Sequence, residues 1–377
     1  MNKRLLFIFG TRPEAIKMAP LIKLAKESEA EENKNFDVTV CVTGQHRQML
    51  DQVLEFFGIT PDFDLDIMTP GQNLFDVTSI GISRLKDVIS RAKPDVIFVQ
   101  GDTTTAFMGA LAGYYTKTKV AHIEAGLRSG DKFSPWPEEG FREMVSHIAD
   151  YHFVPTKLAA ENLAKENVTK NVHITGNTVI DALFMGLDII KGSEEEEYIA
   201  FFEYLDLSKK TILITGHRRE SFGSPLENIC IAIKRLALEH PDMQFIYPVH
   251  KNPNVKSVVE NMLSDLPNVF LIEPLDYQHI IYLMNKSYII ITDSGGIQEE
   301  APSLGKPVLV TRDVTERTEG IEAGGARLVG TNTEAIYLEA KRLFIDEDHY
   351  KSMSIAANPY GEGKASEKIL GVITNEI

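Results

Sequence analysis

Along nearly the whole chain, short apolar runs rich in β-branched residues alternate with longer segments of helical character, and this alternation constrains the fold more than any other feature. The runs LLFIFG, VTVCVTG, VIFVQGD, KVAHIEAG, YHFVPT and VHITG fall in the first half; TILITGH, FIYPVH, VFLIEP, YIIITD, PVLV and RLVG fall in the second. Runs that are apolar throughout belong to strands buried on both faces, which means parallel sheets with helices on either side. At 377 residues the chain is also too long for one ordinary core. The expected fold class is therefore α/β, with two doubly wound, Rossmann-like domains facing a cleft. Residues 1–175 would form the first and 176–364 the second, with the terminal helix 365–377 packing back on the first. Between the halves, the acidic run Glu194 to Glu197 reads as a solvated helix face. Ligands of such sheets bind beyond the carboxyl ends of the strands, so chemistry is sought just after each apolar run.

A formal net charge of −15 and a pI near 5.2 set this chain against nucleic acid and anionic membranes as partners. Any phosphate it binds must be met by cations placed locally. The opening MNKRLLFIFGTRPE reads as a first strand rather than a signal peptide, and no apolar stretch approaches membrane-spanning length. Cys41 and Cys230 lack metal or redox spacing and read as buried thiols of a reducing, cytoplasmic compartment. The G-x-G-x-x-G pattern follows none of the strands, so no NAD cofactor is expected, and no metal.

The densest cluster of signals is DSGGIQEEAPSLGKPVLVTRDVTER, from Asp293 to Arg317. Ser294, Gly295 and Gly296 break a buried strand and open a helix, where two glycines permit close backbone approach and free N–H groups favour an anion. Glu299 and Glu300 follow within a turn. A carboxylate there would repel phosphate but can accept both hydrogen bonds of a ribose diol, so the segment suits a nucleoside diphosphate. At the first strand end, Gly10-Thr11-Arg12-Pro13-Glu14 leads into a helix whose Arg12 and Lys17 make a cationic start. His217, before Arg218 and Arg219, ends TILITGH in a position suited to neutralising a leaving diphosphate. Gln45 and His46 offer polar groups at another strand end, as does His250.

Three carboxylates occupy comparable places: Asp102 after VIFVQG, Glu124 after KVAHI and Glu138 in SPWPEEGFRE. Acids at successive strand ends of one sheet can share a crevice, where crowding and desolvation yield a group that exchanges a proton near neutral pH. Singly, Asp102 could cap the next helix, Glu124 could pair with Arg128, and Glu138 could serve as a helix-start acid.

Taken together, GTRPEAIKMAP, TGQHRQMLDQV, GDTTT, HIEAGLRSGDKFSPWPEE, TGNTVIDAL, TGHRRESFG, YPVHKNPNV, the long segment above and NPYGEGKAS closely resemble the bacterial non-hydrolysing UDP-N-acetylglucosamine 2-epimerases. The resemblance runs nearly end to end. It implies a two-domain fold like that of GT-B glycosyltransferases, a homodimer, and interconversion of UDP-GlcNAc and UDP-ManNAc for cell-surface polysaccharide, without NAD or a required metal. The family's catalytic acids match Asp102, Glu124 and Glu138, and its histidine matches His217. On the substrate side stand Arg12, Lys17, Gln45 and Arg142, with Ser294, Gly295 and Gly296 at the diphosphate, Glu300 at the ribose and Arg317 at the nucleotide. Some relatives bind a second UDP-GlcNAc as activator through residues near TGQHRQM and an arginine; Gly71 aligns with that arginine. Phe141 stands where the family often has asparagine, and Ile280 where some members stack an aromatic ring on uracil, with Tyr277 and Tyr282 as candidate substitutes for that ring. Neighbouring alternatives are a hydrolysing epimerase or one acting on a diacetamido UDP-sugar; PWPEE and GTRPEAIK resemble the non-hydrolysing group.

Overall fold

The computed structural model describes residues 2–30, 35–44, 47–193, 195–216, 218 and 222–376. Its strands are β1 (Lys3–Phe9), β2 (Phe36–Val42), β3 (Phe63–Asp64), β4 (Val96–Gln100), β5 (Lys119–Ile123), β6 (Tyr151–Val154), β7 (Val172–Ile174), β8 (Thr211–Thr215), β9 (Gln244–Pro248), β10 (Val269–Ile272), β11 (Ile289–Thr292), β12 (Val308–Val310) and β13 (Ala326–Leu328). Every apolar run read from the sequence is a strand, and each is followed by a helix or a turn leading to one. Only β3, a two-residue edge strand, has no signal of its own.

The described residues form a seven-stranded sheet in the order β3-β2-β1-β4-β5-β6-β7 and a six-stranded sheet in the order β10-β9-β8-β11-β12-β13. All pairings are parallel. Both orders contain the doubly wound 3-2-1-4-5-6 arrangement, in which the winding reverses between the first and fourth strands. The reversal falls between β1 and β4 in one sheet and between β8 and β11 in the other. The middles of the central strands are buried, as with Leu6, Phe7 and Ile8 of β1 and Ile289, Ile290 and Ile291 of β11.

The chain divides into two compact units, Met1–Met185 with Tyr360–Ile377, and Gly186–Pro359. The helix Ala365–Glu376 belongs to the first, where Lys3 Nζ donates to the carbonyls of Ile373 (3.0 Å) and Thr374 (2.5 Å). At the start of that helix the N–H groups of Ala365 and Ser366 donate to the Asp181 carboxylate at 3.2 and 2.7 Å. Among the described residues no helix is long and apolar enough to cross a membrane.

Candidate active site

In the first unit the chain leaves β1 through Gly10 and Thr11 and enters the helix Arg12–Ala30. Gly10 is dictated by close approach: a Cβ there would collide with the Thr43 hydroxyl and lie 2.6 Å from Thr105 Oγ1. Glu14 folds back over this turn. Its Oε2 accepts from the N–H groups of Gly10 (3.0 Å) and Thr11 (2.8 Å), and its Oε1 accepts from the Thr103 hydroxyl (2.6 Å). Burial pushes this carboxyl up to about 7, although the hydrogen bonds from Thr103, Gly10 and Thr11 pull it down. Arg12 is half-buried at the same helix start.

Lys17, further along that helix, donates to both oxygens of Glu124 at 2.6 Å each. Gln100 Nε2 donates to Glu124 Oε2, and Asn177 Nδ2 to Oε1 at 3.1 Å. The buried Glu124 thus sits in a clasp drawn from β4, the first helix and the start of the helix Thr178–Ser193. Its φ of 62° is left-handed, a conformation that non-glycine residues seldom adopt. Arg128 is not its partner. That guanidinium instead grips Glu166 in a fork, with Nε and Nη2 both 2.7 Å from carboxylate oxygens.

Asp102 Oδ2 lies 2.7 Å from Arg142 Nε and 2.6 Å from Nη2. The same guanidinium reaches Glu139 Oε2 through Nη1 at 2.7 Å. Glu139 is fully buried, and its Oε1 accepts from the N–H groups of Ser129 (2.7 Å) and Gly130 (3.2 Å). Arg142, expected on the substrate side, is therefore engaged with two carboxylates of its own unit. Asp102 does not cap the next helix; Thr103 does, accepting from the Ala106 N–H at 3.0 Å. Glu138 opens the helix Glu138–Ile148, and its Oε2 is buried with no hydrogen-bond partner among the described residues. His122 Nε2 lies 2.8 Å from Gly101 O; a carbonyl only accepts, so Nε2 carries the proton. Burial pushes this ring down to about 3 and keeps it neutral. Phe141 is a packing residue, its ring stacked on Phe107 with centroids 5.1 Å apart.

In the second unit the turn after β11 carries the nucleotide-side residues. Ser294 N–H donates to Thr292 Oγ1 at 2.9 Å, and the short helix Gly295–Glu300 follows. Gly295 lies close against a side chain: a Cβ would lie 3.3 Å from Arg317 Cζ. Arg317 Nε donates to Glu299 Oε1 at 2.8 Å, so this arginine is anchored beside the turn. A Cβ on Gly296 would lie 3.6 Å from Glu300 Oε2, and Glu300 Oε1 accepts from the Tyr277 hydroxyl at 3.0 Å. Tyr277 is buried beneath Glu300, and Tyr282 stacks on Phe202 and Tyr198, so both rings are committed to the unit's own packing. Asp293 accepts from the Arg218 N–H at 2.9 Å, tying the carboxyl end of β11 to the segment after β8.

Of the residues expected at the site, the structure gathers Lys17 with Glu124 and Asp102 with Arg142 in two polar clusters at the carboxyl edge of the first sheet. Ser294, Gly295, Gly296, Glu300 and Arg317 gather at that edge of the second. His217 and Gln45 lie outside the described residues. Sequence reasoning missed the parts played by Glu14, Gln100, Glu139 and Asn177, and it considered Tyr277 only as a platform for uracil, not as the donor to Glu300. Gln100 and Asn177 had a signal, since each ends or follows a strand at the same edge.

Two sheets wound on one plan, each with charged groups and glycine turns at its carboxyl edge, define a doubly wound α/β enzyme with paired Rossmann-like units. A glycosyltransferase of Rickettsia africae, 15% identical with a TM-score of 0.64, covers all of this chain and 98% of its own, and shares the fold. The family model for UDP-N-acetylglucosamine 2-epimerase matches residues 28–374. The Escherichia coli (strain K12) UDP-N-acetylglucosamine 2-epimerase is 52% identical over 376 residues, 99% of this chain and 98% of that protein. The crystal structure of the Neisseria meningitidis UDP-GlcNAc 2-epimerase bound to UDP-GlcNAc is 46% identical, with a TM-score of 0.88 over 98% of this chain and 99% of that one. The chain belongs to the UDP-N-acetylglucosamine 2-epimerase family.

Proposed function

We propose that this enzyme interconverts UDP-GlcNAc and UDP-ManNAc by inverting C2 without net hydrolysis, in the cytoplasm, and that its product supplies ManNAc units for cell-surface polysaccharide. The observation that carries this reading is the pair of engaged carboxylates, Glu124 in its clasp and Asp102 on Arg142, in a chain akin over its full length to an epimerase solved with UDP-GlcNAc.

The C2 proton of UDP-GlcNAc is not adjacent to a carbonyl, and a carboxylate cannot remove it directly. Breaking the C1–O bond first sends its electron pair away with UDP and leaves positive charge at C1. That charge acidifies C2–H. A carboxylate then takes the proton, and the C–H pair becomes the C1=C2 bond of 2-acetamidoglucal. Return of a proton to the opposite face of C2 and re-addition of UDP at C1 complete the inversion. Asp102, Glu124 and Glu138 are the groups proposed to exchange the proton and support the charge. Arg12, Lys17, His217 and the Ser294-Gly295-Gly296 turn would stabilise departing UDP, with Glu300 at the ribose and Arg317 beside the nucleotide. Gln45 would supply a further polar contact, while Arg142 acts through Asp102. Donors aimed at developing charge are each worth roughly 2.7–4 kcal/mol, and positioned proton transfer about 10²–10⁴ in rate.

The test is proton NMR with UDP-GlcNAc in D₂O. UDP-ManNAc carrying deuterium at C2 is the expected product. Free ManNAc with UDP would replace this reading with a hydrolysing one, and no turnover would remove it.

A homodimer is part of the proposal. Phe75, Tyr115, Phe133 and Trp136 are all strongly exposed around an apolar groove of about 720 Å³ on the first unit, a surface suited to burial against a second copy. Cys41 and Cys230 are buried, and burial pushes both thiols up to about 12, which fits structural thiols in a reducing compartment. A second UDP-GlcNAc acting as activator would lack one cationic contact here, because Gly71 stands where that arginine aligns. Hyperbolic dependence of rate on UDP-GlcNAc is expected, and a sigmoidal curve would restore the activator.

A further inference from the structure

We infer that Glu14 is a positioning residue for the epimerisation, holding the Gly10–Arg12 turn against the Asp102–Thr103 turn. The inference rests on the function proposed above. It starts from three hydrogen bonds that converge on one buried carboxyl group: the Gly10 and Thr11 N–H groups on Oε2, and the Thr103 hydroxyl on Oε1. The first two come from the end of β1 and the third from the turn after β4, so this side chain spans the place where the sheet's winding reverses. The two strands are neighbours, paired through Leu5–Val96, Leu6–Ile97 and Phe7–Phe98, but that pairing stops before the turns begin. Past Phe7 and Phe98 no further pairing joins β1 to β4, and Glu14 supplies a link beyond the reach of the ladder.

What is linked matters for the reaction. Arg12 sits in the turn that Glu14 closes, and Lys17 lies one helical turn beyond Glu14 on the same helix. Asp102 immediately precedes Thr103. Lys17 in turn grips Glu124 after β5. The first turns of the helix Arg12–Ala30 therefore carry a carboxylate that fixes the β4 turn and an ammonium that fixes the β5 turn. The cations proposed to meet UDP and the acids proposed to work at C2 stand on one frame. Gly10 adds rigidity from the other side, wedged against the Thr43 and Thr105 hydroxyls, which bond each other at 2.8 Å.

The role requires hydrogen-bonding shape rather than charge. A glutamine at position 14 keeps an acceptor for the two N–H groups and turns a donor toward Thr103, whose hydroxyl can reverse its role. Alanine removes all three bonds. Full-length Glu14→Ala and Glu14→Gln variants are compared by hydrogen–deuterium exchange at the Gly10 and Thr11 amides without substrate, and by kcat and KM from deuterium entry at C2. Glu14→Ala is expected to lose protection at both amides and about 10²-fold in kcat, with a smaller change in KM, as suits misplacement of reacting groups by about 1 Å. Glu14→Gln is expected to restore protection and kcat to within about threefold of the parent, since its hydrogen bonds are conserved. An alanine variant with parental kcat and protected amides overturns the inference. So does a glutamine variant that is protected yet as slow as alanine, because the carboxyl would then act chemically. Should alanine fail to fold, Thr103→Val carries the same expectation of lower kcat and Thr103→Ser the rescue; parental turnover in Thr103→Val overturns the link. If the unsubstituted enzyme does not turn over UDP-GlcNAc, the functional reading fails by itself, and amide protection still decides whether Glu14 locks the turns.

Discussion

Replacing Glu14 by glutamine should make the stability of the first unit less dependent on pH. Buried in the fold, the carboxyl stands at about 7, whereas its ordinary value is 4.5. Its folded form therefore holds a proton that the unfolded chain gives up between these two values. The sign follows directly: with more protons bound when folded, stability falls as pH rises through that window. The loss is absent below about pH 4.5 and complete above about pH 7. At about 1.4 kcal/mol per pH unit, it reaches roughly 3 kcal/mol. Glutamine fills the same space without a charge to desolvate. Its advantage over the parent should widen by about 2–3 kcal/mol between roughly pH 5 and pH 8. Urea unfolding at several pH values, followed by circular dichroism and by fluorescence of the single tryptophan, Trp136 in the first unit, reads the difference. A gap that stays constant with pH would refute the reasoning, as it would mean that Glu14 is ionised in the fold as readily as in the open chain. A gap that narrows toward alkaline pH would reverse the sign and imply a cation near Glu14.

Other expectations are independent of Glu14. Glu124→Gln should leave the protein folded and lower kcat by about 10²–10⁴ in the deuterium-exchange assay, while unchanged turnover would take Glu124 out of the proton-exchanging set. Arg142→Ala strands the fully buried Glu139 without its cation and should destabilise the fold by about 3–5 kcal/mol in urea titrations. Trp136→Asp places a charge on the exposed aromatic surface and should shift sedimentation from dimer to monomer; an unaltered sedimentation coefficient would remove that face from the interface.

Strand positions were legible because buried parallel strands are written as continuous apolar runs, and all of them but β3 carry such a run. Phe63–Asp64 is too short to have a period and becomes a strand only by pairing with Cys41 and Val42. At the site, residue types at strand ends were legible, but their partners were not. Lys17 and Arg142 read as cations for the substrate, yet in the fold Lys17 meets Glu124 and Arg142 meets Asp102, both brought close by topology, in addition to Glu139 one turn away on the helix of Arg142. Glu14 carried no reading beyond its place in the run Gly10 to Glu14, and only the return of β4 beside β1 supplies the Thr103 hydroxyl. Arg128 found Glu166 rather than Glu124, since Glu124 was already enclosed by donors from three other segments. In each case the residue's chemistry is local information, while its counterpart is set by strand order.

Glu124 holds a backbone conformation that glycine or asparagine would occupy with far less strain. Left-handed placement of a long side chain costs of order 1–3 kcal/mol, which Lys17, Gln100 and Asn177 offset by binding its carboxylate. A chain selected for durability alone would have little reason to keep this combination. Changing Glu124 to glycine together with Lys17 to methionine would relax the backbone and leave no half-buried charge behind. That double variant should melt at a higher temperature than the natural sequence and turn over nothing. With that outcome, the glutamate at this spot would trade thermal endurance for the turnover proposed above.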